Sequence, residues 1–243
     1  VVQRADDPDD SDVNGTHPRA EQILEAARGA FAERGYDATS ITEIAGRVGV
    51  VDATIYRHFD SKRALLHEVI RGFYEPLIDS AAAGVAGIAD PRDRVHHLVW
   101  RHLRAMTEDR LLCRLVIAEA RTLDDYFESE VADLNRRYTS LVIDAVKDGV
   151  AAGLFRADVP VTMVRDVLYG SIEHLAWGVL TGRAVIDVDA TAEALVALVL
   201  DGIAVPPKEA EVDPQALADQ VDRLDALTDR LDRSVSALEG ATS

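Results

Sequence analysis

At 243 residues the chain is long enough for one or two domains with a sizeable core. Its 48% apolar and 28% charged side chains exclude a largely disordered protein, and only 5% aromatics beside abundant alanine, valine and leucine favour close-packed helices over a β-sandwich. The net charge of −17 excludes a protein that coats nucleic acid by bulk positive charge, but not one that binds DNA through a local surface.

In chain order, residues 1–16 set Arg4 against five aspartates, contain Pro8 and Gly15 and show no periodicity, so they read as a disordered acidic arm. The arm lacks the basic-then-apolar order of a signal peptide. Ile23, Ala27, Ala30 and Phe31 mark a first helix that should stop at Gly35. Ser40 precedes Ile41, Ile44, Ala45 and Val48, with Glu43 three residues on. That is a capping-box pattern for a short second helix, ended by Gly49. A third short helix is predicted over 52–59. Ser61 then caps a long fourth helix whose Leu65, Val69, Ile70, Phe73, Leu77 and Ile78 face one way. Further helices are predicted at about 92–107, 109–122, 125–153, 160–181 and 189–204, with Asp90-Pro91, Gly153 and Val159-Pro160 between them. No stretch alternates with period two over five or more residues beside a hairpin turn. The fold class is all-α.

Charge is unevenly spread. Residues 17–80 hold eight basic and ten acidic side chains, so this early segment is the least acidic part of the chain. Within it, Ser40 to Lys62 reads SITEIAGRVGVVDATIYRHFDSK. Two short helices joined by a glycine-containing turn cross steeply and leave the second protruding, the helix-turn-helix arrangement. A helix entering the major groove needs a small residue at closest approach, polar groups near its N-terminus, and aromatic or cationic groups for phosphates. Ala53, Thr54, Tyr56, His58 and Lys62 meet those needs.

These residues resemble the tetracycline-repressor-like (TetR/AcrR) transcriptional regulators. The resemblance is carried by Ile23 to Phe31, Gly35-Tyr36, Ser40 to Ala45, Gly49-Val50, Ala53 to Tyr56, His58-Phe59, Ser61-Lys62 and Leu65. It implies a DNA-binding domain at 17–64 and a ligand-binding, dimerising domain at 65–205. It further implies that Ser40, Tyr56, His58 and Lys62 touch the phosphate backbone, and that Asp52, Ala53 and Thr54 approach bases. Val51 departs from the family, which usually has a capping serine or threonine there. Asp52 either caps the helix in its place or accepts from a cytosine amine. The expected activity is that of a homodimer on a palindromic operator, a repressor released by a small effector.

Other motifs are weaker. The lone Cys113 excludes intrachain disulfides and cysteine-held metal clusters. His96, His97 and His102 share a helix but not a ligating face, and no phosphate loop or nucleophile elbow occurs, so no enzyme, metal or cofactor is expected. Trp100, Leu103, Met106, Phe127 and Tyr138 are candidate walls of an effector pocket or ordinary core. Tyr169, His174 and Trp177 line a pocket, a dimer interface, or the core. A pocket so lined suits a mostly apolar effector, an acyl chain for example. No run nears the roughly 18 apolar residues of a spanning helix, so no membrane partner and a cytoplasmic location are expected.

A polar linker at 206–213 leads to a last helix over 214–239. Leu217, Val221, Leu224, Thr228, Leu231, Val235 and Leu238 repeat there with spacings of four and three. Valine at a and leucine at d favour a parallel two-stranded coiled coil. The alternative is a ligand-independent DNA-binding or scaffolding protein working through that tail.

Overall fold

In the computed structural model the described residues are 13–118 and 126–206, with Arg223, Leu224 and Thr228 of the tail. They form nine α-helices and no strand, and none of the helices is long and apolar enough to cross a membrane.

Helix ends follow local chemistry. Helix α1 (Val13–Arg34) stops where Gly35 turns left-handed at φ 84°. Buried Thr39 donates its hydroxyl back to the carbonyls of Ala30 (3.1 Å) and Gly35 (2.8 Å), satisfying acceptors that the helix end would orphan. Residues 13–16, expected in the arm, already belong to α1, and residues 1–12 lie outside the described part. Helix α2 (Ile41–Val48) opens on Ser40, whose hydroxyl accepts from the Glu43 amide at 3.1 Å. Only half of the predicted capping box forms, because the Glu43 carboxylate pairs with Arg34 (3.0 Å) and Arg47 (3.2 Å). Gly49, at φ 68°, turns the chain into α3 (Asp52–Tyr56). This helix ends short of the predicted residue 59, as the amides of His58 and Phe59 both return to the Ile55 carbonyl (2.9 Å each).

Helices α4 (Lys62–Val85) and α5 (Pro91–Glu108) start on Ser61 and Asp90, whose side chains accept from Ala64 (3.0 Å) and Arg92 (2.7 Å). Helix α6 spans Arg110–Ala118. The predicted helix over 125–153 is broken. Tyr126–Glu128 form a 3-10 turn, and Ser129 starts α7 (Glu130–Ala151) by accepting from the Ala132 amide. Helices α8 (Val161–Leu180) and α9 (Val188–Ile203) complete the chain up to Ala204.

Helix α5 packs against α4, α7, α8 and α9, while α1 packs against α2, α4 and α6. One cluster of buried side chains runs from Ile23 to Ile203. Ile23, Phe31, Ile44, Ile55 and Leu65 fill the three-helix head, and Leu98, Leu103, Tyr138 and Leu168 the larger part. Each such side chain stabilises by about 1.5–3 kcal/mol. In the tail, Arg223, Leu224 and Thr228 are helical, and the Thr228 hydroxyl donates to the Leu224 carbonyl at 2.9 Å. The other coiled-coil positions, Leu217, Val221, Leu231, Val235 and Leu238, lie outside the described residues.

The end of α7 depends on one missing side chain. A β-carbon on Gly149 would stand 2.2 Å from the buried Phe155 ring. Gly149→Ala should therefore cost about 1–3 kcal/mol through overpacking. Urea unfolding in a double-mutant cycle checks this: the penalty should largely vanish beside Phe155→Ala. An equal penalty in both backgrounds would rule out the ring contact as its cause.

Candidate functional site

The head presents α3 on its surface. Ile55 and Phe59 are buried beneath it, whereas Ala53 and Tyr56 are exposed and Thr54 and His58 half-buried. Val51 holds the cap position with extended backbone and makes no side-chain cap bond. Asp52 does not replace it. Its carboxylate instead accepts from the Thr42 hydroxyl of α2 at 2.7 Å, tying the two crossing helices together.

Lys62 opens α4 and is held in place. Its ammonium lies 3.4 Å from the Asp37 carbonyl and 4.2 Å above the Tyr36 ring, which itself tilts against Phe31. Ser40 is exposed at the start of α2. The arginines of α1 and α2 are engaged differently. Arg47 pairs with Glu33 (2.7 Å) and Glu43 (3.2 Å), and Arg34 with Glu43. The bond to Glu33 raises the Arg47 pKa, and the same bond holds the Glu33 carboxyl below its ordinary value. Exposed Arg57, passed over in the sequence, adds a cation at the end of α3.

A second feature lies among α5, α7 and α8. A cavity of about 520 Å³ is lined by His102, Phe127, Arg136, Arg165, Tyr169 and Glu173, among others. His102 and Glu173 also line a small apolar space of about 20 Å³ with Phe73, Leu77, Met106 and Cys113. Between these spaces four aromatic rings cluster. His102 Nδ1 lies 3.2 Å from the Tyr138 hydroxyl, and its ring meets Tyr169 edge-on at 4.9 Å. Tyr74 donates to Asn135 at 3.2 Å. Burial pushes the phenols of Tyr138 and Tyr169 well above the ordinary tyrosine value, so both stay protonated.

Of the eight pocket candidates, Met106, Phe127 and Tyr169 line these spaces, and Tyr138 stands directly behind them. Leu103 is wholly buried in the core. Trp100 is a tie between helices: its Nε1 donates to Asp189 of α9 at 2.7 Å and Arg104 covers its ring. His174 and Trp177 are exposed and line neither space. With Met163, Val167 and Gly170 they form a stripe of spacing four and three along the outer face of α8. The lining also carries charge that the apolar candidates did not include, from Arg136, Arg165, Asp166 and Glu173.

The sequence of the head and that of the larger part each match a known family. Residues 23–69 match the family described as bacterial regulatory proteins, tetR family, and residues 89–203 match the tetracyclin repressor-like C-terminal domain. The transcriptional repressor AcnR of Corynebacterium diphtheriae is 30% identical over 166 residues, 66% of this chain and 82% of its own. The chain belongs to the tetR family. The repressor KstR2 of Rhodococcus jostii is 29% identical over 205 residues, covering 82% of this chain and 98% of its own. Among solved structures, the regulator FadR from Bacillus subtilis in complex with stearoyl-CoA superposes with a TM-score of 0.68 at 22% identity, over 75% of this chain and 98% of its own. The relatives of this tetR-family regulator are transcriptional regulators, not enzymes.

For this tetR-family head, the Thr42–Asp52 bond makes a local claim. Either Thr42→Ala or Asp52→Ala should cost about 0.5–1 kcal/mol of stability, the modest value of a partly exposed bond. A double-mutant cycle by thermal unfolding should show the second loss to be small once the first is made. Fully additive losses would mean that the two side chains do not act together.

Proposed function

We propose that this chain is an effector-released transcriptional repressor that binds a two-fold DNA site as a homodimer. The observation that carries the proposal is the exposed α3, lifted clear of the head by the Gly49 turn, with Ala53 and Thr54 on its surface. Asp52, Ala53 and Thr54 approach base edges in the major groove. Ser40, Tyr56, His58 and Lys62 take backbone phosphates, and Arg57 is added to that set. The protein acts in the cytoplasm, where its operator lies.

The stripe of Met163, Val167, Gly170, His174 and Trp177 on α8 supports the dimer. Trp177 is 50% exposed and Met163 56%. A second copy covers it, and the two-fold axis sets the heads one DNA turn apart, roughly 34–36 Å. The heptad pattern of the tails supports a parallel coiled coil that raises dimer stability through their high effective concentration.

The cavity among α5, α7 and α8 takes the effector. Its lining combines Arg136 and Arg165 with aromatic side chains, which suits an amphiphile, and the relative crystallised with stearoyl-CoA supports an acyl compound. The effector binds better to a conformation in which the heads are wrongly spaced, and this differential affinity releases the operator.

Binding to a panel of palindromic and scrambled duplexes tests the DNA claim. Lys62→Ala should weaken all sequences alike and lower the salt slope by about one unit. Thr54→Ala should alter base preference instead, by about 1–3 kcal/mol at the affected position. A silent Lys62→Ala with no preferred palindrome would defeat the proposal. Trp177→Asp should yield monomers in sedimentation and abolish tight operator binding. Wild-type dimerisation in that variant would move the interface elsewhere. Stearoyl-CoA should loosen the operator complex, and operator DNA should weaken stearoyl-CoA by the same factor.

A further inference from the structure

Tyr169 is 93% buried, being only 7% exposed, and its hydroxyl is buried without a hydrogen-bond partner. The neighbouring polar groups are engaged: the Tyr138 hydroxyl with His102, and the Tyr74 hydroxyl with Asn135. What Tyr169 offers is a proton, since burial keeps its phenol protonated. Its ring is fixed edge-on to His102, so the hydroxyl cannot swing out to solvent without breaking that packing. Tyr169 lines the 520 Å³ cavity close to His102 and Glu173, the two residues shared with the small apolar space beside Phe73, Leu77 and Met106. Tyr169 therefore stands beside the residues that join the two spaces, with Arg165 of the same lining one helical turn before it. A hydrocarbon filling this region would leave the hydroxyl as unpaired as it is in the free protein, whereas an acceptor oxygen would add a hydrogen bond.

We propose that Tyr169 donates its hydroxyl proton to an acceptor oxygen on the effector, of the kind a carbonyl supplies, so that the cavity selects carbonyl-bearing amphiphiles over chains of equal length without that oxygen. The inference rests on the effector cavity proposed above and adds which chemical feature it reads. Tyr169 is a specificity residue here. The donor is already unpaired in the free protein, so the preference amounts to the one hydrogen bond that the carbonyl adds.

A matched pair of probes tests it with the full chain: stearoyl-CoA, and the thioether S-octadecyl-CoA, which keeps the chain and head group but lacks the carbonyl oxygen. Calorimetric titration of the wild type should favour the thioester by about 3- to 10-fold, one hydrogen bond's worth. Tyr169→Phe should bind the two probes alike, while Tyr138→Phe, which removes a hydroxyl already engaged, should keep the preference. The thioester carbonyl stretch should shift to lower frequency on binding to the wild type and not to Tyr169→Phe, a change that a packing role would not produce. Equal binding by the wild type, or a preference that survives in Tyr169→Phe, overturns the proposal and leaves the effector cavity standing. Binding of neither probe also overturns it. In that case Phe127→Trp places an indole in the cavity lining. A change in its emission with 1-anilinonaphthalene-8-sulfonate keeps the cavity as an effector site, and no change removes that reading too.

Discussion

Helix α4 has to pack in two places at once, and the rest of the molecule depends on that constraint. Its first residue is Lys62 and its N-terminal turns pack on α1, while the same helix meets α5, α6 and α7. Leu65, Leu66 and Ile70 are wholly buried within it. By area these three stabilise the junction by several kcal/mol. Ion pairs also cross it, Arg71 of α4 to Glu130 of α7 and Arg28 of α1 to Asp109 beyond α5. Both pairs have an exposed partner, and such pairs contribute about 0–1 kcal/mol. The apolar packing therefore decides where the head stands, and the pairs adjust it. In the proposed function, a shift of α5 or α7 around an effector would be met by α4 and carried to Lys62. Close-packed cores pass on such displacements instead of absorbing them.

The larger helical part is an unusual core for that reason. A domain optimised for stability alone would fill the space near α7 and α8 with leucine. This one keeps a polar cluster of Tyr74, His102, Asn135 and Tyr138, and leaves Tyr169 unpaired. Such a hydroxyl costs stability in the free protein. Sites that bind ligands commonly retain local deficits of this kind, which the surrounding packing has to outweigh.

Much of the head was legible because its determinants are short-range. Ser40, Gly49 and Ser61 act within three or four residues of themselves, and the apolar positions of α1, α2 and α4 follow the helical period. The Thr42–Asp52 bond was not legible, since it joins two helices across the turn, and only the crossing angle brings the groups together. Glu43 shows the same limit: its spacing from Ser40 fits a capping box, but Arg47 on the next turn and Arg34 at the end of α1 outcompete a backbone amide. The cavity was harder still, as α5, α7 and α8 each contribute a part of its lining. His102 carried a usable signal, because it repeats with Leu98, Ala105 and Met106 on the buried face of α5. Trp177 and His174 illustrate an ambiguity of pattern. Helix α8 has two apolar stripes, and periodicity alone does not say which faces its own core and which awaits another surface.

Charge gives the proposed function its physical character. Arg34 and Arg47 are neutralised within the head by Glu33 and Glu43, so few cations remain for phosphates beyond Lys62 and Arg57. Against a net charge of −17, this makes non-specific attraction to DNA weak, because that attraction is almost wholly counterion release. On the proposed two-fold site, affinity would then come from base contacts made twice over, through two heads held at the right spacing. A single head has too little electrostatic grip to stay bound. Loss of correct spacing would thus free the protein from DNA altogether instead of leaving it sliding nearby. A strongly basic head would blunt the same conformational change, since phosphate contacts persist at any register. In the proposed function, the acidic surface is what would let a modest shift in α4 act as a switch.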